Sequence, residues 1–553
     1  MDRRFLLAVA LMVVVLVGPS LFLKRPPVRP PVADTTSSQV QPSAPAAAGP
    51  AASQAAGPAR PTSAAAAAPA SASFDTVSLA LADATYRFTT RGAALEQATF
   101  PAFKSFHAGD GKRPAQLLRQ ASRLLMSRLV VGGDTVRLDD VPYRVDQRGP
   151  AIRMSARAGA LAPALSVAPV EGHPYLLDVQ GSVDGLEGRG ALLLIGLDDG
   201  FANVEADSLD NYRNYAVAVR RATLENTDFR SVDSGVVKTL EGPLDWVAVK
   251  SKYFMGALLS ADSSKPQFGG AVLIGAPRVG RIATNMQTWV TMAIGPDGRF
   301  HYQLYLGPQT HQTLSPLGRQ LDRATTYGAF LKGIVMPVAG WFTRLFIWMH
   351  EQFHMGYGLV LVVFGVLVRL LLWPLNQRAM KSQVAMMAVQ PVLKDLQTRY
   401  KNDPAKLQTE MMKVYKEHGV NPLGGCLPML LPMPVLLALF FVFSRAIELR
   451  GTPFLWLPDL SLRDPYFITP LVMGGSMYVL SKLSQSGMPP NPQAKMMTVM
   501  MPIMMTVLFF NFASGLNLYY AVSNLVSLPQ QYLINKARLA EMGRRQVSAP
   551  GKT

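Results

Sequence analysis

The 553-residue sequence predicts a polytopic α-helical membrane protein: an N-terminal anchor plus a five-helix core, with a large all-β domain on one side of the bilayer and a helical hairpin on the other. Three observations predict this. Several apolar runs are long enough to cross a hydrocarbon core, in a chain that is 49% hydrophobic with a mean hydropathy of +0.17. Residues 74–322 instead show short β-rich runs punctuated by Gly, Asp and Pro. Lysines and arginines cluster beside the apolar runs, so the net charge of +18 reads as cytoplasmic flanks and contact with anionic lipids, and not as a DNA-binding surface. A single cysteine, Cys426, excludes an intramolecular disulfide.

Residues 5–23 form the first apolar run, after Arg3 and Arg4. Its apolar stretch continues past Pro19 into Leu21, Phe22 and Leu23 with no small-residue cleavage site, which favours an uncleaved anchor over residues 1–25. Residues 26–73 are Pro, Ala, Ser and Gly with no periodicity able to bury a core, a flexible tether. From 74 to 325 runs such as VSLALADATYRF, VRLDDVPYRV, ALLLIGL, AVLIGA and TWVTMAI predict a β-sandwich, and GPDG at 295–298 reads as a hairpin turn. No Ser, His and Asp set in this domain announces a catalytic site; a binding or spacing role is the simplest reading.

Residues 326–355 predict an amphipathic helix lying on the membrane face, with Trp341 and Trp348 near the headgroups. His350, Glu351 and His354 spell H-E-x-x-H, the pattern that places two imidazoles on one helical face around zinc. A third ligand would have to come from elsewhere, with Asp459 or Asp464 as candidates, and Tyr357 breaks the longer metzincin pattern. A membrane zinc protease is therefore one alternative, and a solute transporter a second.

The span at 356–375 contains Arg369 and no acidic residue. An arginine at bilayer depth costs about 2.5–3.5 kcal/mol on insertion scales. Two readings stand. The guanidinium either snorkels to headgroups near Trp373, or it projects into a wet pocket inside the bilayer. Residues 376–421 then predict an antiparallel helical hairpin in water, with Val384, Met387, Pro391, Leu396 and Tyr400 on one apolar edge and Leu407, Met411 and Val414 on the other. Asp403 and Pro404 read as N-cap and first helical residue. Its excess of bases places the hairpin in the cytoplasm and the β domain on the opposite side.

Residues 422–535 hold four further spans, near 427–443, 466–483, 496–510 and 515–533, before a basic tail at 536–553. Pro428, Pro432 and Pro434 disturb the first, Gly474 and Gly475 loosen the second, and Pro502 interrupts the third. That third span, at about 22 Å, is short for a core of about 30 Å and predicts local thinning. Met497, Met501, Met504 and Met505 offer a soft apolar surface for a sliding helix, or ordinary packing. Asn517, Tyr520, Asn524, Ser527 and Gln531 share one face of the last span. That stripe either meets Arg369 across a hydrophilic groove or hydrogen-bonds to neighbouring helices.

The segments NPLGGCLPMLLPMPVLLALF at 421–440, VRLLLWPL around Arg369 and ASGLNLYYAVSNLVSLPQQ near the end resemble a YidC-type membrane protein insertase, in the long form with an external β domain. The resemblance implies a periplasmic β-supersandwich and a five-helix core whose hydrophilic groove opens to the cytoplasm. It implies work on nascent membrane proteins in the bacterial inner membrane, alone or with the Sec translocon, without covalent catalysis, nucleotide or metal, and hence with no cofactor. Both termini would be cytoplasmic, and the hairpin and basic tail would meet the ribosome. By position the groove arginine falls on Arg369, and substrate-contacting positions fall on Gly365, Met433, Leu436 and Tyr520. Gly365 and Pro432 stand where related proteins can carry polar residues, which implies a less hydrophilic groove on those sides.

Overall fold

The computed structural model describes residues 74–197, 200–324, 332–374, 392–419, 433–485 and 492–547, together with 377 and 389. The expected anchor, the linker, most of 375–391, the stretch 421–432 with Cys426, Pro428 and Pro432, and the end of the basic tail lie outside the described residues. So do the side chains of Met433 and Met497.

The β domain contains three antiparallel sheets. A four-stranded sheet opens it with Thr76–Ala80, Thr85–Thr89, Leu95–Lys104 and Pro114–Gln116. A nine-stranded sheet runs from Leu224–Asp228 at one edge to Arg144–Arg148 at the other. A six-stranded sheet lies between the edges Val237–Leu244 and Asp134–Arg137. Outer strands alternate inward and outward residues, as Ala151–Ser155 does by burying Ile152 and Met154. Trp246–Lys250 and Phe254–Ser260, interior to the nine-stranded sheet, are buried at every position, as a strand covered on both faces must be. Tyr86 of the first sheet donates its hydroxyl to the Leu306 carbonyl (2.7 Å), and Phe100 meets Tyr175 and Phe254 at 5.7 Å, so the sheets close over one aromatic core.

The GPDG expectation needs correction. The turn forms, with Gly298 at φ +68° and its amide donating to the Gly295 carbonyl, but it does not close a hairpin. Met286–Ile294 pairs within the six-stranded sheet and Arg299–Pro308 within the nine-stranded one, so the chain crosses between sheets here. A side chain at Gly298 would place its Cβ 2.3 Å from the Val183 carbonyl oxygen.

Among the described residues of the second half, the helices that position the site are α1 Lys332–Phe353, α2 Tyr357–Leu371, α3 Pro404–Glu417, α4 Met433–Arg445, α5 Ile468–Gln485, α6 Pro492–Phe509 and α7 Ser514–Val547. Helix α1 turns Val335, Ala339, Phe342, Phe346 and Met349 into the helical core and leaves Trp341 and Trp348 exposed, the two-faced pattern of a surface helix. Among the described residues no single helix is both long and apolar enough to cross a membrane; Pro337–Phe353 and Tyr357–Leu371 pass only together, bent by 115°. Helix α6 starts earlier than the expected 496 and spans 18 residues, about 27 Å, although only Thr498–Phe509 is apolar. Helix α7 continues through Pro529 and past residue 535 to Val547, carrying part of the basic tail as helix.

The described part of the hairpin is capped as its sequence implies. The Asp403 carboxylate accepts from the Lys406 amide (3.0 Å) with Pro404 in the first turn of α3. Leu396 on the opposite arm packs with Met411 and Val414, joined by Val389, Leu393 and Tyr415.

Candidate functional site

Helix α2 presents its small residue, Gly365, to α7: a Cβ there would lie 3.3 Å from Val522 and 3.5 Å from Tyr519. Phe364, one residue earlier, sets its ring 5.8 Å from Tyr519 and 4.8 Å from Phe346 of α1. One turn beyond Gly365, Arg369 lies in the last turn of α2, where the carbonyl end of the helix favours a cation. Its Nε is buried without a hydrogen-bond partner, and among the described residues no carboxylate pairs with it. The arginine is half-buried beside the face of α7 that carries Tyr519.

The polar stripe of α7 faces elsewhere. Asn524 donates its amide to the Met473 carbonyl (3.4 Å) and to the Ser476 hydroxyl (3.2 Å) of α5, and Asn535 donates to the Leu483 carbonyl of the same helix. Asn517 donates to the Phe509 carbonyl of α6 (3.1 Å), and Tyr520 packs its ring 5.4 Å from Phe509. Ser527 is buried and bonds within its own helix, to the Ser523 carbonyl. These residues favour the second of the two sequence readings, hydrogen bonding between helices. The face of α7 toward α2 is the one that bears Tyr519, and Ser523, Val526 and Gln530 follow on it at helical steps. Gln530 is 3% exposed, and neither its carbonyl nor its amide nitrogen has a partner. This second stripe, at positions 519, 523, 526 and 530, is less polar than the one that carries the asparagines.

Leu436 on α4 and Met505 on α6 are half-buried against the helical core, and Met501 and Met504 are half-buried. Gly474 is pressed against Thr506 of α6, whereas Gly475 faces open space. Helix α5 thus gains close approach from the first glycine alone.

The H-E-x-x-H residues do not converge as ligands in the structure. Helix α1 ends at Phe353, and His354 has φ +52°, off the helical face of His350. His350 donates Nδ1–H to the Met355 carbonyl (2.6 Å) and stacks on Tyr357, and Glu351 accepts from Gln312 (2.8 Å). Among the described residues no three His, Cys, Asp or Glu side chains gather as metal ligands.

A feature absent from the sequence reading joins the helices to the β domain. Arg450, in the connection from α4 to α5, donates Nε to both Glu205 carboxylate oxygens (3.0 and 2.8 Å), and its Nη2 donates to the Lys104 (2.8 Å) and Val204 (3.1 Å) carbonyls. Its guanidinium lies 4.6 Å from the centre of the Phe106 ring. The side chains of Arg450 and Glu205 are 3% and 9% exposed, so the pair is out of water. Burial pushes the Glu205 carboxyl up, and the guanidinium draws it partly back.

The family model described as YidC periplasmic domain matches residues 82–349, and that described as 60Kd inner membrane protein matches residues 348–541. A protein of Geotalea uraniireducens named membrane protein insertase YidC is 30% identical over 471 residues, covering 81% of this chain and 85% of that one. The chain belongs to the YidC family. A YidC protein of Chlorobium phaeovibrioides is 36% identical over 355 residues, covering 60% of this chain and 58% of its own length, so the chain spans little more than half of that relative. The crystal structure of YidC from Thermotoga maritima is 13% identical, with a TM-score of 0.31 over 83% of this chain and 97% of that one. Relative to these YidC proteins, the helical core with Arg369 lies in the 60Kd region, and Glu205 lies in the periplasmic-domain region.

Proposed function

We propose that this protein is a membrane protein insertase and chaperone of the bacterial inner membrane. It moves nascent membrane proteins from the cytoplasm into the bilayer, alone or with the Sec translocon. In this reading the chain is multi-pass with both termini cytoplasmic, the β domain is periplasmic, and the hairpin and basic tail meet the ribosome and anionic lipids. The name carried by its relatives supports the reading. The observation that carries it in the structure is Arg369: a cation in an apolar helix, unpaired among the described residues and with a buried, unpartnered Nε. Such a group is costly unless it serves a ligand.

A polar or acidic segment of the client enters from the cytoplasm and takes charge-assisted hydrogen bonds from Arg369. Gly365, Met433, Leu436 and Tyr520 line the path, with Asn517, Asn524 and Ser527 bracing the helices beside it. The client's apolar helix slides along Met497, Met501, Met504 and Met505 into lipid, driven by transfer of apolar area at about 25 cal/mol per Å². No covalent step is involved, so the protein acts as a chaperone and not as an enzyme, and it needs no cofactor.

The test is insertion of a small single-span client with an acidic translocating tail into liposomes holding the purified protein. Arg369→Glu reduces protease-protected client about tenfold or more, the equivalent of one charge-assisted hydrogen bond turned to repulsion. Insertion unchanged by this substitution removes Arg369 from the mechanism.

A further inference from the structure

The connection between α4 and α5 contacts the β domain, the start of α2 and the start of α7. In the single turn Ile447–Leu449, Ile447 belongs to the β-domain core and Leu449 to the helical core, so neighbouring side chains of one turn are seated in two different interiors. Arg450 follows with its four hydrogen bonds into the β domain. Gly451, at φ +69°, lets the Phe106 ring approach to 2.5 Å from where a Cβ would be. The chain then seats Phe454 against Gly358, at the start of α2, where no larger residue fits. Further on, the Asp459 carbonyl accepts from the Ser514 hydroxyl (3.0 Å), and the Leu462 and Leu460 carbonyls accept from the Ser514 and Gly515 amides at the start of α7.

The opposite ends of the same helices differ. Arg369 Nε, both amide atoms of Gln530, Gln531 Nε2 and Asn535 Oδ1 are buried there without partners. Among the described residues no ion pair joins α2 to α7 there, and the side-chain hydrogen bonds of α7, from Asn524 and Asn535, go to α5. Lifting the connection, and with it the helix ends it holds, off the β domain means pulling a desolvated ion pair apart, which is among the most costly single contacts to break.

We propose that the Arg450–Glu205 pair clamps one end of α2, α4 and α7 onto the β domain, so that opening toward a client is confined to the other end, near Arg369 and Gln530. Arg450 is thus a positioning residue for insertion, acting through the helices it holds and touching no client. The proposal rests on the insertase reading, and its experiment has one arm that does not.

The full chain in a Cys426→Ser background carries spin labels at Val237, exposed on the β domain, and Leu455, exposed on the connection, and is reconstituted in lipid nanodiscs. Without any client, the label distance distribution is narrow for the parent and broad for the double variant Glu205→Leu with Arg450→Met, which removes both charges together and leaves neither orphaned. In liposomes the same double variant inserts client about fivefold less, while crosslinking of client to a photoreactive residue at Leu436 stays within about twofold, because capture precedes the clamped step. Arg450→Lys keeps a cation for Glu205 but cannot reach the two carbonyls, and it gives intermediate values in both arms; it serves as the readout if the double variant does not assemble. A narrow distribution in these variants, or a broad one with unchanged insertion, overturns the clamp. No insertion by the parent overturns the insertase reading and leaves the distance arm standing.

Discussion

Buried polar groups are treated in opposite ways by the β domain and the helices. In the β domain Asp139 accepts from Arg128 and Arg137, Asp245 lies between Arg319 and Arg220, and Glu205 is met by Arg450. Of the eight buried side-chain atoms without a partner among the described residues, six lie on α2 and α7. A domain that only has to fold satisfies its polar atoms, because each orphan costs about 1–3 kcal/mol. Two of these orphan-bearing residues, Arg369 and Gln530, lie on the faces through which α2 and α7 approach each other, which is the pattern expected if these helices keep polar groups for a ligand, as the proposed function requires.

The largest effect that would break this contrast is at Arg450. Arg450→Ala strands a carboxylate with 9% exposure and is expected to cost about 3–5 kcal/mol, whereas Glu205→Leu with Arg450→Met costs far less, since no charge is left alone. Thermal unfolding followed by circular dichroism of the β domain's strands measures both. Equal melting of the single and double variants would mean that the β domain does not depend on partnering its polar groups, and the contrast fails on that side.

How far the sequence foretold all this depended on the range of the interaction. ALLLIGL, AVLIGA and TWVTMAI fall on strands, VSLALADATYRF spans two strands and the turn between them, VRLDDVPYRV is strand only at its ends, and Asp403–Pro404 starts α3, because alternation and capping are decided within a few residues. GPDG forms the turn its residues imply but closes no hairpin: the reversal is local, but the partners of Ile294 and Arg299 are Ala191 and Ser182, more than 100 residues away. Arg369 stood out because a lone charge in an apolar run is itself a local anomaly. The polar stripe on α7 leaves two readings open in the sequence, since polarity marks a stripe without saying which helix the stripe faces. The asparagines turned toward α5 and α6, where backbone carbonyls accept from them. Arg450 and Glu205 are 245 residues apart, and nothing in either surrounding sequence announces the other.

The helical side of the contrast sharpens at Gln530. If its amide has no internal partner, Gln530→Leu removes two orphaned atoms at nearly constant volume and raises the stability of the folded protein by about 1–2 kcal/mol, read as a higher melting temperature in nanodiscs. The same substitution is expected to lower insertion, a trade of activity for stability characteristic of residues kept for a ligand. A drop in melting temperature would show that Gln530 is satisfied inside the helices, and they would then resemble the β domain after all.

The smallest effect lies where the two regimes meet, at Asp464. One carboxylate oxygen accepts from the Tyr466 amide (2.9 Å) and the other from the amide and hydroxyl of Thr469 (2.6 and 2.9 Å) in the first turn of α5. Burial alone would push this carboxyl up, but these hydrogen bonds to the charged form outweigh it and hold it below the ordinary value. A carboxyl whose folded value is depressed adds stability above its unfolded value, near 3.9, and that stability is lost as pH falls through the folded value. Asp464→Asn is therefore expected to cost about 1 kcal/mol at neutral pH, as loss of a helix-capping carboxylate does. The gap between parent and variant should hold above about pH 5 and close as the parent's carboxylate is protonated in stronger acid. A gap that stayed constant to the lowest pH at which the protein folds would mean that shape, and not charge, makes this cap. The connection after α4 would then owe its electrostatic hold to Arg450 and Glu205, with Asp464 contributing packing only.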